Sequence, residues 1–185
     1  TRKESSAASD VYKRQVYEFA QEPVDFKART FPYFTLGLIQ VLTQSLAANR
    51  IFNVLLHLAC ACLMFLLLRA LIYAAKTRAN RFSELKDCRS IDVLSAVVAF
   101  SFSLHPIAVY GVAYLAQRTG LFALFFSLLS LWFYRRAFDE SRSIDIIAAA
   151  LFYSLAVFSK EHAIMLPLAA LPLAAIYGGC LLYTS

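Results

Sequence analysis

The sequence predicts an all-α, polytopic transmembrane helix bundle, and three observations carry that expectation. The 185 residues are 60% hydrophobic and only 16% charged, where soluble domains run near 45–50% apolar and about 25% charged. The apolar residues gather into blocks of the length a spanning helix needs, roughly 20 residues. The basic residues gather in alternate connections between those blocks, which is the pattern that orients membrane helices. Disorder is excluded for most of the chain. Four Cys are too few for a disulfide-stapled secreted module.

Both termini depart from this pattern. SSAASDVYKRQ, at residues 5–15, reads as the in-frame translation of a transposase-type sequencing adapter. CLLYTS, at residues 180–185, reads as its reverse complement. Residues 1–15 and 180–185 are therefore expected to be adapter-like and stand outside the fold. Without them four basic and two acidic residues disappear, and the net charge falls from +6 to +4. Cys60, Cys62 and Cys88 remain, and neither a disulfide nor a metal site is expected of them.

Taken in order, residues 16–50 are expected to form a non-cytoplasmic loop with an interfacial helix. Its apolar stretch, 31–48, is broken by Pro32, Gly37, Gln40 and Gln44, which suits lying in the interface better than crossing it. The bundle then occupies 51–179 with about five spans. The first, 51–73, holds the polar residues Asn53, His57 and Arg69. The second, 92–110, contains Pro106. The third, 119–134, is short and dense in Leu and Phe. The fourth is 144–159. The fifth, 163–179, contains Pro167 and Pro172, which helix bundles tolerate.

The loop at 74–90 carries Lys76, Arg78, Arg81, Lys86 and Arg89, and the loop at 135–143 carries Arg135, Arg136 and Arg142. Positive charge places these loops in the cytoplasm, and Arg69 can snorkel toward that side. The connections at 112–118 and 160–162 then lie on the opposite face, together with 16–50.

That orientation collects the remaining polar residues at one end. Asn49, Arg50, Asn53 and His57 open the first span; Arg50, Asn53 and His57 share a helix face. His105 and Pro106 lie toward the outer end of the second, Gln117 and Arg118 open the third, and Lys160, Glu161 and His162 join the fourth to the fifth. Charge near hydrocarbon is costly and marks a functional candidate. Arg118 and Lys160 suit an anionic lipid headgroup, Arg as a fork and Lys as a point charge. His57, His105 and His162 can donate hydrogen bonds or carry a proton. Glu161 is the candidate base here.

Simpler roles fit the same residues. Arg118 and Lys160 also read as interfacial anchors. His57 and Asn53 read as interhelical hydrogen-bonding groups, with Gln117 as polar support. Glu161 reads as a partner for Lys160 or Arg118, and the basic loops as topology signals.

Three ordered segments resemble a known family. NRIFNVLLHL, at 49–58, contains an N-x-x-L-H-L pattern; HPIAVYGVAYLAQR, at 105–118, resembles H-P-x-x-V-x-x-V-x-Y-x-x-Q-R; SKEHAIMLPL, at 159–168, resembles S-K-E-x-A-x-x-L-P. These are similar to the transmembrane and tetratricopeptide-repeat O-mannosyltransferases and their bacterial relatives. The resemblance implies a partial GT-C-type membrane domain. It implies a glycosyltransferase that moves sugar from a polyprenyl- or dolichyl-phosphate carrier to a hydroxyl, commonly a protein Ser or Thr, on the non-cytoplasmic face. The lipid-phosphate contacts would be Arg118, Lys160, His105 and His162.

The family's acidic motif, in its first outer loop, is not matched here; Glu22 and Asp25 do not align with it. The acidic residue usual after H-P-x-x-V is replaced by Tyr110-Gly111. A repeat domain would lie beyond residue 179. No bound cofactor is expected beyond the carrier-linked sugar as substrate, and a divalent metal is left open. The expected partners are membrane lipids, the lipid-phosphate sugar and a protein acceptor, not nucleic acid. The expected location is an integral membrane one, a bacterial inner membrane or, in a eukaryote, the endoplasmic reticulum. The other classes that fit are a non-catalytic membrane scaffold and a transporter-like bundle. A transporter would spread polar residues through the membrane depth, whereas here they stop at one end.

Overall fold

The computed structural model describes residues 29–78, 88–140 and 142–178. The expectations for 1–15, 16–28, 79–87 and 180–185, including Glu22, Asp25, Arg81 and Lys86, lie outside the described residues. The described residues are helical almost throughout, with no strand among them. Helix α1 spans Thr30–Thr43, α2 Leu46–Arg78, α3 Cys88–Leu104 and α4 Pro106–Ala113. A 3-10 turn, Leu115–Gln117, leads into α5, Arg118–Glu140. Helix α6 is Ser143–Ser159, and a second 3-10 turn, Glu161–Met165, precedes α7, Leu166–Gly178.

Two helical stretches are long and apolar enough to cross a membrane, Leu46–Thr77 and Leu115–Glu140. Only 28% and 33% of their apolar windows are buried inside the protein, which distinguishes them from the covered core helix of a soluble domain. Ile51, Leu55 and Leu58 on α2 are all more than half exposed. The five expected spans therefore differ in length. Helices α3 and α6 have 17 residues each and α7 has 13. At about 1.5 Å per residue these are shorter than a hydrocarbon core of about 30 Å.

Several boundaries need correction. The second expected span, 92–110, is two helices, because Pro106 lacks the N–H that would bond back to Phe102. The residue before a proline is also pushed away from helical geometry. His105 closes α3 with its own N–H on Phe102 O at 3.2 Å, and Pro106 takes the first position of α4, where proline is favoured. The interfacial segment 31–48 is also two elements. Gln44 adopts a left-handed backbone, φ 49°, with its N–H on Gln40 O, and α2 begins at Leu46. The helix of the third expected span extends to Glu140, and that of the fifth begins as a 3-10 turn.

Helices α2 and α5 are the centre of the bundle. Leu56 on α2, Leu121, Phe122 and Phe126 on α5, and Ala156 on α6 form one buried cluster. Cys60 and Leu67 meet Leu128 in a second, and Ala74 meets Leu173 and Tyr177 of α7 in a third. Asp145, Ala149, Ala156 and Ser159 are the buried residues of α6. The small ones let α6 approach α5 closely, as in membrane helix pairs. Ser130 on α5 donates to Ala149 O at 2.9 Å, joining the two backbones midway. Phe152 stacks on Phe126 and Phe133 at 6.2 and 5.4 Å between ring centroids.

The basic end is laced with ion pairs. Arg136 pairs with Glu140 at 2.9 Å and reaches Asp145 at 3.5 Å; Arg135 reaches Asp139 at 3.4 Å. Arg69, expected to snorkel, pairs with Asp92 at 2.6 Å.

Candidate functional site

At the other end of α2 and α5 a buried polar seam begins from a sequence pattern one residue away from the expected one. Asn49, Asn53 and His57, each four residues after the last, are 1%, 0% and 7% exposed, while Arg50 is exposed. The face is chosen by α5. Arg118, the first residue of that helix, is 1% exposed and donates from Nε to Asn53 Oδ1 at 2.7 Å. Its Nη2 donates to Asn49 Oδ1 at 2.8 Å and to Asn49 O at 2.9 Å. The guanidinium also lies over the Phe52 ring, 4.9 Å from its centroid. Asn49 Nδ2 in turn donates to Gln40 Oε1 at 3.1 Å. A polar chain thus runs from α1 through α2 into α5. It draws Arg118, expected against a lipid phosphate, into the helix seam.

Deeper along the same face, His57 Nε2 lies 3.2 Å from Ser103 O near the end of α3. The Asn53 Nδ2 and His57 Nδ1 atoms are buried with no hydrogen-bond partner. His57 therefore links α2 to the last turn of α3, two residues before His105.

Lys160 is placed by the end of α6. Its extended backbone, φ −160° and ψ 133°, terminates the helix while its N–H still bonds Ala156 O. The half-buried side chain returns to the first turn of α5. A Cβ on Gly120 would stand 3.6 Å from Lys160 Nζ and 3.8 Å from Gln117 Oε1. Gly120 thus leaves room for an ammonium and an amide to converge. No carboxylate pairs with Lys160 among the described residues. Glu161, expected beside Lys160 or Arg118, instead takes a bidentate bond from Arg29 Nη2, at 2.9 Å to each oxygen. That hydrogen bond to Arg29 holds the Glu161 carboxyl below its ordinary range, with a smaller contribution from the residue's own backbone N–H. The Arg29 guanidinium is correspondingly raised. A carboxylate held ionised in this way is a poor proton acceptor. His105, at the α3–α4 break, and His162, in the 3-10 turn, are both exposed.

The fold therefore brings three separated segments together. Asn53 meets Arg118 directly, Gln117 and Lys160 both approach Gly120, and His57 reaches the end of α3 just before His105. Sequence reasoning missed Arg29, Phe52 and Gly120 as members of the site, and placed Asn49 in the cluster without a role. A glycine two residues after Arg118 in an otherwise bulky helix start was the available signal; nothing in the sequence couples Arg29 to Glu161. Among the described residues no three His, Cys, Asp or Glu side chains gather to hold a metal. No protein family, curated protein or solved structure matches the chain.

Proposed function

We propose that this chain is a piece of a polytopic membrane glycosyltransferase of GT-C type, and that its Arg118 end faces away from the cytoplasm and holds the phosphate of a polyprenyl-phosphate sugar. One observation carries the reading: a half-buried Lys160 ammonium, paired with no described carboxylate, beside Gln117 and Gly120 at the start of α5. A helix N-terminus carries partial positive charge and disfavours a lone cation. A phosphate there satisfies both the ammonium and the helix end. The three family-like segments meet at this point, which supports the same reading.

In this scheme the bond between the sugar's anomeric carbon and the phosphate oxygen breaks. The acceptor hydroxyl oxygen takes its place, and the carrier leaves as an anion. Lys160 stabilises the charge growing on that leaving phosphate. Arg118 is a positioning residue, fixing α5 and hence Gln117 and Gly120. Glu161 anchors Arg29 rather than taking the acceptor proton, so the base is a group other than Glu161. Against a transporter, the buried hydroxyls Ser95 and Ser130 are bonded to the backbone carbonyls of Ile91 and Ala149.

The test is photo-cross-linking of the chain to a labelled polyprenyl phosphate in vesicles. Lys160→Ala is expected to lower the yield about tenfold, the value of one charge-assisted contact, with helicity unchanged. Equal labelling of the variant and the parent chain rejects the site.

A further inference from the structure

A mostly apolar groove lies at the opposite, basic end of the bundle. There α2, α3 and α5 line an open-sided recess of about 320 Å³, at the lower end of the range of roughly 300–1,000 Å³ typical of ligand pockets. Leu66, Arg69 and Tyr73 of α2 form one wall, Ile91 and Asp92 of α3 another, and Trp132 of α5 the third. Most of the lining is apolar. Arg69 and Asp92 are the exception: their side chains pair at 2.6 Å while staying 53% and 43% exposed. Arg135 lies over the Trp132 ring at 4.6 Å and steadies the indole. Tyr73 and Trp132 are the residue types that sit at headgroup level in membrane proteins.

We propose that this groove binds a glycerophospholipid with a primary-ammonium headgroup, phosphatidylethanolamine, its phosphate on Arg69 and its ammonium on Asp92. The proposal rests on the membrane reading above but not on the glycosyltransferase one. Charge complementarity selects the headgroup. A purely anionic headgroup would face the Asp92 carboxylate and have to break its pair with Arg69. A quaternary ammonium brings positive charge but no N–H to donate. A primary ammonium and a phosphate on one molecule exchange the protein's internal pair for two charge-assisted pairs. Both partners stay satisfied, and the ammonium brings three donors. The acyl chains then lie against the exposed apolar side of Leu66.

The chain is reconstituted in vesicles of equimolar phosphatidylethanolamine, phosphatidylcholine and phosphatidylglycerol, gently solubilised, and its retained lipid read by native mass spectrometry. Phosphatidylethanolamine is expected to be retained about tenfold over the other two, and Asp92→Asn to abolish that preference, the scale of one hydrogen bond to a charged group. Leu66→Trp, which fills the groove and leaves the ion pair in place, is expected to remove the retained lipid altogether at unchanged helicity. Equal retention of the three lipids, preference for phosphatidylglycerol, or undiminished retention by Leu66→Trp overturns the proposal. A chain that fails to float with the vesicles overturns the membrane reading and this site with it. A chain that floats but shows no headgroup preference overturns this site alone.

Discussion

Arg118 is a side chain whose sequence setting and whose contacts bear on different questions. Its sequence setting, an arginine opening an apolar helix, suits a phosphate ligand and a structural pin equally well. The pin requires acceptors, and those come from Asn49 and Asn53, more than sixty residues earlier. Spacing alone left Arg50 on the same face as Asn53; burial shows that Asn49 is the partner. Removing the guanidinium leaves these buried oxygens unsatisfied. Arg118→Ala is expected to cost about 3 kcal/mol of stability, and Arg118→Lys, which keeps the charge but loses the fork, about half of that. Equilibrium unfolding in mixed micelles measures both. A loss below about 1 kcal/mol for the alanine variant, the scale of one ordinary hydrogen bond, would show that the seam does not hold α2 to α5.

Between elements, the tie from Arg29 to Glu161 is the clearest example of something sequence could not reveal, since its partners are 132 positions apart. Arg29 also donates its backbone N–H to Phe158 O, so the start of α1 is fastened twice, to the last turn of α6 and to the 3-10 turn after it. The Glu161 carboxyl is lowered in the folded chain, so its stabilising contribution is complete above the ordinary carboxylate range. It is lost as pH falls through the lowered value. The pair is exposed, and the effect on global stability is small; the local effect is at α1. Amide protection across Phe31–Thr43 is expected to fall in acid in the parent chain, and to be low at every pH in Glu161→Gln. Protection that stays pH-independent in the parent chain would remove this tie from the account of α1. The α3–α4 break has the opposite history. Pro106 was visible, yet a proline in an apolar block is compatible with either a kinked span or two helices. Here the 3-10-type closure on Phe102 and the proline at the first position of α4 make two.

For the molecule as a whole, composition and the two long apolar helices point to a membrane, and the exposed leucines and isoleucines around α2 are dressed for lipid rather than water. The proposed orientation has a direct consequence for α6, whose 17 residues are near the lower limit of a span. Single cysteines at Ser143 and at Glu161, in a background with the native cysteines changed to Ser, are expected to react with an impermeant maleimide from opposite sides of sealed vesicles. Ser143→Cys should report the cytoplasmic side and Glu161→Cys the other. Labelling of both from one side would show that α6 does not cross.

Much of the architecture could be read from residue order because it follows from local chemistry. Apolar blocks must be helical to satisfy their backbone in lipid, and the fourth helix, 144–159, emerged within a residue of its expected start. Other features depend on which surfaces meet. The seam of Asn49, Asn53 and Arg118, the clamp of Arg29 on Glu161, the room that Gly120 gives to Lys160, and the open Arg69–Asp92 pair all join residues far apart in sequence. Their energies come from hydrogen bonds and charges that are short-ranged and directional. A linear pattern carries the residue types for them, and packing chooses the partners.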